Sequence, residues 1–146
     1  MDLRRIIFRG FDGREWRYGD LEYNRKDDVA RIHTYKENGS YGKQYLVDPY
    51  TVGEFTGMRD KHGKKVFEGD VVRRRESALG YVKTGVVKYD CHLGAFVLEY
   101  ESYGETCKST FDNEFSENDG NCTIRGTYSY EIIGNVYDNP DLLLSK

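Results

Sequence analysis

The sequence predicts an all-β protein built from short strands. Alanine, the strongest helix former, occurs only at Ala30, Ala78 and Ala95 in 146 residues, while glycine occurs 16 times. Aromatic side chains are plentiful, with 13 Tyr, 7 Phe and one Trp, and these suit pleated, half-buried surfaces. Segments that alternate apolar and polar residues with period two are separated by turn-forming pairs such as Asp12-Gly13 and Asn38-Gly39. The length fits one domain and excludes a TIM barrel, a kinase or a two-domain dehydrogenase. With 38% hydrophobic and 32% charged residues the core is lean, yet the chain stays clear of the disordered regime.

Residues 3–11 alternate in part, with Ile6 and Phe8 opposite Ile7 and Phe11, and lead through Asp12-Gly13 into a hairpin partner that includes Trp16 and Tyr18. Residues 29–35 alternate again, and Glu37-Asn38-Gly39-Ser40 turns the chain into residues 43–47, a second hairpin. Pro49 fixes its own φ and disfavours helix at Asp48, which makes 48–50 a boundary. From Val52 onward, extended pieces joined by glycine-bearing turns describe a tightly wound barrel. Residues 81–89 and 95–101 flank a hairpin loop, with Phe96, Leu98 and Tyr100 predicted to face inward and Val97, Glu99 and Glu101 on the other face. Residues 102–127 are polar and acidic, with Phe111 and Phe115 as anchors, and read as an extended loop with one edge strand. Residues 128–137 alternate once more, and Asn139-Pro140-Asp141-Leu142 resembles a capped helical turn.

The charge is unevenly spread. Residues 1–75 carry 17 basic and 13 acidic side chains, a balance of +4, and residues 76–146 carry 5 and 12, a balance of -7. Such a bipolar chain can pair with its own kind or offer a basic face to nucleic acid. Cys91, Cys107 and Cys122 form no CxxC pair and read as three reduced thiols. No apolar run approaches a membrane span and the first residues lack a signal peptide's apolar stretch, which points to a reducing cytoplasm.

The stretch Val52-Gly-Glu-Phe-Thr-Gly-Met-Arg-Asp-Lys-His-Gly-Lys-Lys-Val-Phe-Glu-Gly-Asp-Val-Val72 resembles the signature of the YopX family of phage and prophage proteins. The opening Ile6-Ile-Phe-Arg-Gly-Phe-Asp12, the hairpin pieces Gly85-Val-Val-Lys-Tyr89 and Ala95-Phe-Val-Leu98, and the ending Tyr130-Glu-Ile-Ile-Gly-Asn-Val-Tyr-Asp-Asn-Pro-Asp-Leu142 are similar to the same pattern, with Gly10 where the family usually has alanine. The resemblance implies one domain over residues 1–146. It comprises an N-terminal β-hairpin region at 1–50 and an SH3-like barrel region at 51–146, which ends in a short helical turn. It implies a phage or prophage origin and a bacterial host cytoplasm, and supplies neither an established biochemical function nor any catalytic or binding residue.

Individual constellations favour structural roles. Gly57 and the Gly63-Lys64-Lys65 group are spaced wrongly for a phosphate loop, and read instead as a reverse turn capped by Asp60 with Gly63 at positive φ. Glu68-Gly69-Asp70 reads as a strand corner with Asp70 bonded to backbone amides. His33, His62 and His92 are scattered, and Cys91-His92 sits in a turn. No catalytic residue, metal ligand set or cofactor is expected. The basic run Arg73-Arg74-Arg75 carries most promise: Arg73 and Arg75 share a strand face, and with Lys64, Lys65 and the ring of Tyr81 they suit phosphate and base contacts or an acidic partner surface. Solvated edge-strand charges that block aggregation explain the same run without a ligand. The expected function is that of a non-enzymatic phage accessory module that contacts host or phage protein and self-associates, with nucleic-acid binding as the alternative.

Overall fold

The computed structural model describes residues 6–111, 114–118, 121–125 and 128–143, with 114–118 and 121–125 described by their backbone alone. The protein is all-β, with 3-10 turns as its only helical pieces among the described residues. The chain divides into two compact units, Met1–Phe55 and Thr56–Lys146.

In the first unit β1 (Phe8–Phe11), β2 (Trp16–Asn24), β3 (Val29–Tyr35) and β4 (Tyr41–Val47) pair antiparallel in sequence order, and the start of β5 (Gly53–Arg59) pairs on the free side of β1. The predicted Asp-Gly turn forms because Asp12 Oδ1 accepts the amides of Arg14 and Glu15 at 2.8 and 2.9 Å. Asp48 caps the 3-10 turn Pro49–Thr51, and Thr51 Oγ1 accepts the Phe11 amide at 2.9 Å, which anchors the turn to the end of β1. Ala30, Ile32 and Val47 form the core with Phe8, Leu21 and Val52 packed on it. Ile32 is fully buried, a gain of about 1.5–3 kcal/mol over exposure.

In the second unit β5 is joined by β6 (Lys65–Phe67), and then β7 (Asp70–Glu76), β8 (Val82–Asp90), β9 (Ala95–Ser102) and β10 (Glu105–Thr110) form a meander. β11 (Glu114–Asn118) and β12 (Asn121–Arg125) form a hairpin, and β12 pairs parallel with β5 at Cys122↔Met58 and Thr123↔Arg59. The last strand, β13 (Tyr128–Asn135), completes a five-stranded sheet in the order β10-β9-β8-β7-β13, and a 3-10 turn follows at Pro140–Leu143. Met58, Val66, Val72, Val87, Leu98 and Tyr130 make the core.

Two differences from the sequence reading stand out. Phe96, Leu98 and Tyr100 do pack on the core, yet Val97 on the other face is also 0% exposed, because Val71 and Val86 there give the sheet a second apolar face. The described residues of 102–127 hold three strands, β10 to β12, where an extended loop with one edge strand is expected. The first hairpin turns on Tyr103 and Gly104, both at positive φ, a two-residue turn whose Tyr-Gly pair is not the usual Asn-Gly signal. Among the described residues the pairings do not close the sheet into a barrel.

Candidate functional site

The signature stretch is a scaffold. Asp60 is 2% exposed; its Oδ1 accepts the amides of His62 and Lys64 at 2.9 Å, and its Oδ2 accepts the Ile132 amide at 3.1 Å. Gly63 sits at φ +79° to close that loop, as the turn chemistry requires. At the next corner Asp70 Oδ2 accepts the Phe67 amide at 2.7 Å.

The predicted basic residues fall on three elements. Lys64 is exposed in the loop before β6, Lys65 is half-buried at the start of β6, and Tyr81 is exposed just before β8. Arg73 and Arg75 are exposed on one face of β7, while Arg74 is half-buried on the other, as strand alternation demands. Glu131 on β13 stands directly opposite Arg73 and accepts from Lys61 Nζ at 3.0 Å. The Lys61 ammonium holds the Glu131 carboxyl below its usual range, with His62 and Arg73 adding to the effect. Lys61 thus reaches the neighbourhood of Arg73, and a carboxylate there offsets part of the positive charge.

A second cluster, which strand register rather than sequence pattern brings together, lies in the first unit. The β2–β3 register sets Asp20 opposite His33, and period two puts Glu22 beside them, with His33 Nε2 2.7 Å from Glu22 Oε2. A register shift between His33 and Tyr35 on β3 brings Tyr35 opposite Tyr41 of β4. Their rings stack at 5.3 Å with 20° between planes, and His33 meets Tyr41 edge-on at 5.9 Å. The hydroxyls of Tyr35 and Tyr41 both donate to Asp20 Oδ2, the latter at 3.0 Å. That bond to a carboxylate is the main cause that raises the Tyr35 phenol above its ordinary value.

Asp20 Oδ1 and Glu22 Oε1 accept no hydrogen bond among the described residues. Ile6, Phe8, Leu21 and Tyr41 join Asp20, Glu22 and His33 around a cleft of about 480 Å³. Two carboxylates with unused acceptors beside stacked rings attract a cation through charge and through the negative ring faces together. Signals for this site were present in the alternation of residues 20, 22, 33 and 35, but His33 looked isolated until the register set it opposite Asp20.

A family model described as YopX protein matches residues 7–144. Among solved structures, the crystal structure of protein EF1440 from Enterococcus faecalis is similar, with 21% identity and a TM-score of 0.54, covering 95% of this chain and 98% of that one. At that identity the likeness is one of fold. Among curated proteins nothing matches the sequence.

Proposed function

The chain belongs to the YopX protein family, and we propose that it works as a non-enzymatic binding module that makes protein contacts and self-associates. The observation that carries the reading is the acid- and tyrosine-lined cleft, whose carboxylates and stacked Tyr35–Tyr41 pair suit a lysine or arginine side chain of a partner protein. Arg17, whose guanidinium lies 3.7 Å from the Tyr45 ring centroid beside Asp12, repeats that chemistry within the same unit. A second copy supplies a fitting partner, because exposed Arg73 and Arg75 on β7 offer the complementary charge.

The setting proposed is a phage or prophage accessory role in the cytoplasm of the bacterial host, with no cofactor. The SH3-like barrel is part of the same proposal: the meander from β7 to β10, with β13 beside β7, supplies five antiparallel strands for it. Nucleic-acid binding through Arg73, Arg75, Lys64, Lys65 and Tyr81 is the weaker reading, because Lys64, Lys65 and Tyr81 stand on other elements than the Arg73–Arg75 face.

Sedimentation velocity at about 50 and about 300 mM salt tests the proposal, since a charge-driven contact weakens as the Debye length shrinks. The full chain should self-associate at low salt. Asp20→Asn with Glu22→Gln, or Arg73→Ala with Arg75→Ala, should each leave it monomeric. A chain that stays monomeric at every concentration and salt, or variants that associate like the parent, would overturn the reading.

A further inference from the structure

Independently of that cleft, we propose that Arg74 and Lys83, with the hydroxyls of Ser102 and Ser109, form a binding site for a phosphoryl group in the second unit. Arg74 on β7 and Lys83 on β8 are directly opposed in register, so their side chains share one face of the sheet. It is the face opposite that of Arg73 and Arg75. Arg74 Nη1 donates to Ser109 Oγ at 2.8 Å, and its guanidinium lies 4.5 Å from the Tyr128 ring centroid and 5.2 Å from that of Tyr100. Lys83 Nζ donates to Ser102 Oγ at 3.4 Å and lies 5.7 Å from the same Tyr100 ring. Two cations and two hydroxyls therefore converge around one tyrosine.

Three lysines of this unit sit with carboxylates: Lys61 with Glu131, Lys88 with Glu99 and Lys108 with Asp90. Neither Arg74 nor Lys83 has such a partner among the described residues, although the registers set Glu76 and Glu105 on the same face. Like charges opposed across a ladder destabilise a sheet, and both side chains are half-buried, which adds a desolvation cost. The ring faces of Tyr100 and Tyr128 offset part of this and keep the cations in place. Among the described residues the arrangement holds no anion.

A phosphoryl group fits better than a single carboxylate. It can carry charge up to two, matching two cations, and its several oxygens can take the guanidinium fork, the ammonium and both serine O–H groups at once. Free nucleotides and nucleic-acid backbones carry the same group.

Titration of the isotope-labelled full chain by NMR tests the site with three probes: inorganic phosphate, a nucleoside monophosphate and a short single-stranded oligonucleotide, each against chloride at equal ionic strength. Saturable shifts are expected at Arg74 Nε and at the Ser102 and Ser109 amides. Lys83→Met, which keeps the packed stem, should weaken binding about tenfold while leaving the spectrum of the core unchanged. Lys88→Ala, a cation on the other face of the same sheet, should leave the affinity as it is. Tighter binding of the oligonucleotide than of the monophosphate at the same residues would support the site and identify a polymer as the source; equal binding would support it with a small ligand as the source. Shifts that follow ionic strength alone, shifts centred on Arg73 and Arg75, or a Lys83→Met chain that binds like the parent would overturn it.

Discussion

Between β5 and β6, Asp60 is 2% exposed and both of its oxygens hold backbone amides, three in all. On β2, Asp20 and Glu22 meet only side chains among the described residues: two phenols for Asp20 and the His33 imidazole for Glu22. The first arrangement satisfies buried donors that have no substitute, so any loss is felt by the fold. The second has partners that solvent or a ligand can replace. Within this chain the stretch with the most recognisable sequence is architecture, and Asp20 and Glu22, whose partners among the described residues are side chains alone, stand outside it.

Unfolding measurements should expose that contrast most strongly at Asp60. Asp60→Ala leaves three amides without an acceptor and should cost about 3–5 kcal/mol in urea titrations, whereas Asp20→Ala should change stability by under about 1 kcal/mol. Equal losses from the two would erase the distinction. A somewhat smaller loss is expected from Gly19→Ala, because a Cβ at position 19 would lie 2.0 Å from the His33 carbonyl oxygen. Relieving that clash must open the β2–β3 spacing, at about 1–3 kcal/mol, and should displace the His33 and Asp20 resonances together. An unperturbed Gly19→Ala chain would show that the cleft wall does not depend on this close backbone approach.

Much of the fold was legible because local signals and tertiary pairing agree. Residues 29–35 alternate and form β3 over the same span, and Asp12-Gly13 turns β1 into β2. Asp60, Gly63 and Asp70 also take the turn roles that their residue types suggest. The stretch 102–127 is harder to read, because β10 and β12 find partners elsewhere, β9 and β5, and Tyr103-Gly104 is an uncommon turn pair; only the hairpin of β11 and β12 carries a common signal, Asp119-Gly120. The Arg73–Arg75 face follows from period two alone, but Glu131, which stands opposite Arg73, comes from 58 residues further along and can be placed only by register. The same holds for Asp20 and His33. A sequence shows which side chains share a strand face, and it leaves open which strand lies alongside.

Acid should separate the clamping carboxylates next. Asp12 accepts the Glu15 and Arg14 amides and the Arg17 guanidinium, and these lower its pKa from 3.8 to about 2, the Glu15 amide contributing most. A carboxyl depressed by folding contributes stability that is present above its unfolded value and lost as pH falls from there through about 2. The Asp12→Asn chain should therefore lose urea resistance less steeply than the parent between about pH 4 and pH 2. Glu131 and Asp90, also depressed, add slopes of the same sign at their own sites. Identical acid profiles for parent and variant would show that the Asp12 clamp does not outlast the turn in solution.

The gentlest probe is the Tyr35 phenol, since it touches no backbone bond. Its pKa is raised first by the hydrogen bond to Asp20, then by burial and by the Asp20 charge. Because folding favours the protonated phenol, that contribution is complete below the ordinary value of 10 and is lost as pH rises through the raised one. Tyr23, bonded to Asp28, is raised as well, so the first unit should contribute two late phenols to an alkaline absorbance titration of the parent. Asp20→Asn should return one of them to the main group, and Tyr35→Phe should remove the same one. If both late phenols persist in Asp20→Asn, the Asp20 bond does not control Tyr35. If one moves, its titration becomes a direct reporter of Asp20, and a cationic side chain that enters the cleft and draws on that carboxylate must lower it too.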